Sequence, residues 1–193
     1  MRREFIGEII ENPDKSNIKY LLEQYFLKLD SIWKNENLLP LHCRRNCFDI
    51  KIENNKHILI EYEPSKLENV RKEVFDFLLN PDKEVAKSDS RNNYFENGKS
   101  YPISMGIIYV TYDQNVNQNV IRLFKEVAKG VNDYKYYLAN EIYNIEYLKL
   151  NKKNSDELDS LVNWRIIPSN KFPPPPPPPP PFPDSLKTKY EKN

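Results

Sequence analysis

Glycine is scarce, with four residues in a chain of 193. Phosphate-cradling loops need glycine where the backbone closes on a ligand, and neither G-x-x-x-x-G-K nor G-x-G-x-x-G occurs. Cysteine and histidine are as scarce, with two of each. Cys43 and Cys47 are too few for a disulfide scaffold, and His42 and His57 have no evident partner serine for a nucleophile triad. An excess of either charge is missing too, because 29 Lys plus Arg against 28 Asp plus Glu leave a net charge of +1. That balance gives no electrostatic case for nucleic acid or an anionic membrane as partner. No run approaches the ~20 apolar residues of a membrane span. The first residues, Met1-Arg2-Arg3-Glu4-Phe5-Ile6-Gly7-Glu8, turn acidic at once and lack the apolar stretch of a secretory signal. The expectation is a cytoplasmic protein with reduced thiols and no membrane contact.

What is abundant is tyrosine, at 13 residues, within an aromatic share of 12%. That favours a packed core in spite of 30% charged residues. Proline is also abundant but concentrated, since nine in succession, Pro173 to Pro181, stand between Phe172 and Phe182. Proline fixes φ and has no N–H, so this run is excluded from a helix interior or a sheet. The sequence predicts a polyproline II rod about 28 Å long at ~3.1 Å per residue. It divides the chain into a globular domain over 1–168 and a proline-rich, extended or disordered tail over 169–193.

Within the domain, residues 5–10 read as a short first strand. Ile18, Leu21, Leu22, Tyr25, Phe26, Leu29, Ile32 and Trp33 recur every three or four residues, the pattern of an amphipathic helix. Phe48, Ile50 and Ile52, then Ile58, Ile60 and Tyr62, alternate as two strands. A two-residue Asn-Asn turn would put the two apolar sets on opposite faces. A three-residue loop over 54–56 pairs Ile52 with Ile58, Ile50 with Ile60 and Phe48 with Tyr62. Pro64 is expected to stop the second strand, and Ser65-Lys66-Leu67-Glu68 has the spacing of a capping box. The helix it opens turns Leu67, Val70, Val74, Phe77 and Leu78 to one side and ends before Pro81. Residues 82–100 read as a long surface loop, and residues 103–112 as one central strand covered on both faces. Val116, Val120, Leu123, Phe124, Val127 and Val131 predict a further helix with Gly130 near its end. A strand over 142–150 and a short helix over 155–164 follow, with 134–140 left open. The order β-α-β-β-α-β-α-β-α points to an α+β domain with a mixed sheet packed by amphipathic helices.

Two groups of side chains in the domain suggest chemistry. His42, Cys43, Cys47 and His57 fall within 16 residues, but the hairpin register sets Cys47 beside Glu63 and His57 beside Glu53, too far apart to share a zinc ion. Cys43, next to Arg44 and Arg45, reads as a surface thiol. The same register sets Asp49 across from Glu61, and opposed carboxylates destabilise a ladder unless a cation separates them. Asp on one strand and Glu61-x-Glu63 on the next, between two helices, resembles the PD-(D/E)XK nuclease family. The resemblance implies Mg²⁺ held by Asp49 and Glu61 and a nucleic-acid substrate, with Glu63 standing where that family has its lysine.

The tail carries the other resemblance. Phe172-Pro173-Pro174-Pro175-Pro176 resembles the Phe-Pro-Pro-Pro-Pro ligand of EVH1 domains, and the longer run resembles profilin and SH3 ligands. The resemblance implies that Phe172 fills a pocket while the prolines lie in an aromatic groove. Phe182 and Pro183 make the segment nearly palindromic, so it can dock in either direction. Lys171 stands where EVH1 ligands usually carry an acid, and Asp184 serves that role only in the reversed direction. A stiff spacer is the alternative use of the same rod. The functional expectation is a non-enzymatic protein-interaction module, of binding, inhibitor or immunity type, without catalytic residues or cofactor. Its alternatives are a Mg²⁺-dependent nuclease using Asp49, Glu61 and Glu63, and a proline-rich adaptor.

Overall fold

A computed structural model describes residues 2–33, 46–54, 56–84, 87–112, 116–163 and 165–169. His42, Cys43 and the tail residues Phe172, Pro173, Pro174, Pro175, Pro176 and Phe182 lie outside the described residues. The architecture is α+β, with a mixed sheet as expected. Five strands run in the order β3-β2-β1-β6-β7: β1 (Cys47–Glu53), β2 (His57–Ile60), β3 (Glu63–Ser65), β6 (Ile107–Tyr112) and β7 (Ile166–Ser169). β1, β6 and β7 are parallel to one another, and β2 and β3 join as antiparallel strands. A separate two-stranded ladder pairs β4 (Ser90–Tyr94) with β5 (Ser100–Ser104).

The helices lie on one side of the sheet. Phe48 and Ile108 are partners across β1 and β6, so they share a face with Val110 and Tyr112. On that face Phe48 stacks on Phe77 of α3 (Leu67–Leu79) at 4.7 Å between ring centroids. Tyr112 meets Phe26 of α2 (Ile18–Trp33) and Phe124 of α4 (Gln118–Tyr143). The inward parity is fully buried, whereas Cys47, Asp49, Ile107, Tyr109 and Ile167 on the other are half-buried. β6 is therefore covered closely on one face only, not on both. Among the described residues no helix is long and apolar enough to cross a membrane.

Several local readings change. Residues 5–10 are not a strand but belong to helix α1 (Arg2–Glu11). The buried set Phe5, Ile6, Ile9 and Ile10 has helical spacing, whereas a strand would bury alternate residues. Ser65 does not cap α3, because Lys66 occupies that position with no side-chain cap. The stretch 82–100 is not all loop, since it contains β4 and begins β5. Residues 103–112 are two strands, broken at Met105 and Gly106. There a Cβ on Gly106 would stand 2.5 Å from the Phe77 ring and 2.9 Å from Ser88. α4 continues through the open stretch 134–140 to Tyr143, so Gly130 sits inside it. The expected strand over 142–150 is instead the end of α4 and a 3-10 turn, Tyr147–Lys149, and the last helix, α5, spans Lys152–Val162.

The β1–β2 hairpin has the expected register, with Ile52 opposite Ile58, Ile50 opposite Ile60 and Glu53 opposite His57. Beyond Ile60 it departs from expectation. Glu61 and Tyr62 both take positive φ, 50° and 69°, and form a two-residue turn into β3. Phe48 therefore does not pair with Tyr62, Cys47 pairs with Ile107 instead of Glu63, and Pro64 lies within β3 instead of ending a strand. Two consecutive positive φ values mark the type I′ turn, which matches strand twist but favours Asn-Gly over Glu-Tyr. The left-handed region costs an L-residue ~1–2 kcal/mol. Tyr62 is 75% exposed and has little packing to lose. We expect Tyr62→Gly to raise unfolding free energy by about 0.5 to 1 kcal/mol in urea titration, after the larger unfolded-state entropy of glycine is deducted. An unchanged or lower stability would contradict a strained turn.

Candidate functional site

The carboxylates anticipated at the hairpin do come together, as a turn clasp. Glu61 donates its N–H to the Asp49 carbonyl at 2.9 Å, and its Oε1 accepts the Asp49 N–H at 2.6 Å. The Tyr62 hydroxyl donates to Asp49 Oδ2 at 3.3 Å. Partial burial raises the Glu61 carboxyl above the ordinary carboxylate value; the Asp49 N–H opposes that shift and the Asp49 charge adds to it. Glu63 is exposed on the edge strand β3. Among the described residues no group of three His, Cys, Asp or Glu side chains is placed to hold a metal ion.

A second arrangement, not anticipated from the sequence, lies between α3 and α4 on the side away from the sheet. Glu68, Arg71, Lys72 and Phe75 fall at helical spacing on one face of α3, and Asp133, Tyr136 and Tyr137 on one face of α4. Together they line a groove of about 450 Å³. The Phe75 and Tyr137 rings meet edge to face at 6.2 Å. The Arg71 guanidinium holds both Asp133 oxygens, at 2.6 and 2.7 Å, bridging the helices at the rim. The Tyr137 hydroxyl is 3.2 Å from that of Tyr101, which reaches Glu141 at 3.4 Å.

The helices stand close because of one residue. A Cβ on Gly130 would lie 2.6 Å from the Arg71 carbonyl oxygen and 2.8 Å from Val74. Only glycine lets the two backbones approach this far. Arg71 and Asp133 then face each other one turn from the contact.

Behind Tyr136 the groove wall is braced by a buried charge. Tyr136 stacks on Tyr147 at 5.2 Å with 26° between the rings. The Tyr147 hydroxyl donates to both Asp159 oxygens, at 2.8 and 2.9 Å. Burial first, and the Asp159 bond second, push the Tyr147 hydroxyl far above its ordinary pKa, so it keeps its proton. Lys135, 1% exposed, places its ammonium 2.9 Å from Asp159 Oδ1, 3.3 Å from Asn163 Oδ1 and 4.5 Å from the Tyr147 ring centre. These contacts offset much of the cost of burying the cation.

Helical spacing was the signal that could have found this groove. Leu138 and Ile142 extend the series Val120, Leu123, Val127 and Val131 past Gly130, which would place Tyr136 and Tyr137 beside Asp133. No protein-family model, curated protein or solved structure matches the chain.

Removing Asp159 strands Lys135 in the interior, whereas removing the lysine leaves a carboxylate that still holds Tyr147 near the surface. Asp159→Ala should cost about 3–5 kcal/mol of stability and Lys135→Met far less, because the first leaves an ammonium at 2% exposure without its carboxylate, whereas Asp159, at 23%, keeps contact with water and with Tyr147. Equal losses in chemical denaturation would show that Lys135 is not buried against Asp159.

Proposed function

We propose that the chain is a non-enzymatic protein-interaction module whose binding surface is the groove between α3 and α4. One observation supports this most: a shallow groove lined by Phe75, Tyr136 and Tyr137 together with Arg71, Lys72, Glu68 and Asp133. Aromatic and arginine side chains dominate binding energy at protein interfaces, because they cover large areas with few rotatable bonds and keep a polar tip. Tyr136, 41% exposed, and Leu148, 82% exposed, add accessible apolar surface on either side of the half-buried Tyr147. A rim bearing both signs of charge suits a partner with mixed charge and orients it without a long-range field. The proposal places the protein in the cytoplasm, where Cys43 and Cys47 stay reduced.

Affinity capture from the native lysate on the immobilised full chain tests the groove, with Tyr136→Ala and Arg71→Ala compared against Lys152→Ala, a control outside it. Partners of the groove should fall at least tenfold, about 1.4 kcal/mol, with the first two variants and persist with the third. Equal capture by all three, with far-UV spectra and melting unchanged, would remove the groove as the binding surface.

A further inference from the structure

The groove and the proline run are complementary. A polyproline segment presents bare carbonyl oxygens and an apolar ridge, and aromatic-lined grooves that offer hydroxyl donors recognise it. The aromatic lining here is Phe75, Tyr136 and Tyr137, and Tyr136 is exposed. From Glu68 to Phe75 the groove follows α3 for about 10 Å at ~1.5 Å per residue. One turn of polyproline II is three residues and about 9 Å, so the groove accommodates one turn of the ridge. The nine prolines offer that turn in several registers. Phe172 and Phe182 flank the run at both ends, and either can rest on the stacked Tyr136 and Tyr147 rings beside the groove. Lys171 and Asp184 lie at opposite ends of the segment, about 40 Å apart when extended, so a given register brings either Lys171 to Glu68 or Asp184 to Lys72, not both.

Resting on the groove reading above, we infer that its occupant is residues 172–183 of a second copy of this chain. The linkage disfavours docking on the same copy. Only Asn170 and Lys171 separate Ser169 from Phe172, so Phe172 stays within about 11 Å of the end of β7. β7 is an edge strand, whereas α3, which carries one wall of the groove, packs over β1 through Phe77 and Phe48, two strands or about 10 Å further in. Proline fixes φ throughout residues 173–181, so the whole reversal onto its own groove would have to fall in Asn170 and Lys171, whereas a second copy needs no such turn. Exchange of tails between two copies satisfies both grooves, and the shared contact closes on itself with twofold symmetry.

Sedimentation of the full chain across a concentration series tests this. The wild type should pass from monomer to dimer. Tyr136→Ala, and separately a chain carrying Phe172→Ser, Pro175→Gly, Pro178→Gly and Phe182→Ser, should each weaken the dimer at least tenfold while keeping the wild-type far-UV spectrum and a cooperative melt at concentrations where the wild type is monomeric. Mixing those two variants should recover a heterodimer, because one retains the groove and the other the tail. A wild type that stays monomeric at every concentration, or a dimer indifferent to the tail substitutions, would overturn the inference. In either of those cases, groove-dependent capture of another protein would leave the groove reading standing, and its absence would end both.

Discussion

The approach of α3 to α4 at Gly130 is the constraint on which the rest of the structure depends. At that point one helix presents a backbone carbonyl, Arg71 O, to the bare Cα of the other, with no room for a methyl group between them. The approach puts Arg71 within reach of Asp133 and Phe75 against Tyr137, and so makes the groove. It also fixes the face that α4 turns toward α5, where Lys135 and Tyr147 converge on Asp159. An exposed groove and a buried ion pair thus share one origin in close helix packing.

A chain with so little glycine must find left-handed backbone elsewhere, and it uses asparagine. Asn80 and Asn144 close α3 and α4 at positive φ, and Asn46 and Asn54 take such φ at the two ends of β1. Asparagine tolerates that region better than other residues with a Cβ and can bond its own backbone neighbourhood. Asn117 and Asn151 open α4 and α5 by accepting N–H groups from the first turn. The sheet is closed to further strands in a related way, since each of its outer strands carries a proline, Pro64 in β3 and Pro168 in β7. In each case pairing to the inner strand leaves the proline position facing outward, so a neighbour finds no N–H there. Strand addition is thereby hindered at both edges of the sheet.

Much of this fold was legible in the sequence where one physical rule dominated. The register of β1 with β2 follows from the demand that Ile50, Ile52, Ile58 and Ile60 share a buried face. α2 and α3 follow from helical spacing. The reading failed where two rules competed. Phe5, Ile6, Ile9 and Ile10 form a short apolar cluster that fits either element until all four are known to be buried. Glu61 and Tyr62 adopt a turn that their residue types disfavour, so no local signal marks it. Gly130 resembled a helix terminus because glycine usually ends helices, whereas here it serves packing between helices. The groove was missed as a consequence, because a helix ended at Gly130 leaves Asp133, Tyr136 and Tyr137 without a common face. Asp49 and Glu61 were rightly brought together, but as a backbone clasp in which the carboxylate serves Asp49 N–H.

The most direct measurement is the unfolding free energy of Gly130→Ala. In a helix with open space around it, alanine would stabilise by roughly 1 kcal/mol through propensity alone. The close approach of α3 reverses that sign, and overpacking against Arg71 O and Val74 should leave the variant less stable by about 1–2 kcal/mol. A variant as stable as the parent, or more stable, would contradict the contact from which the groove is built.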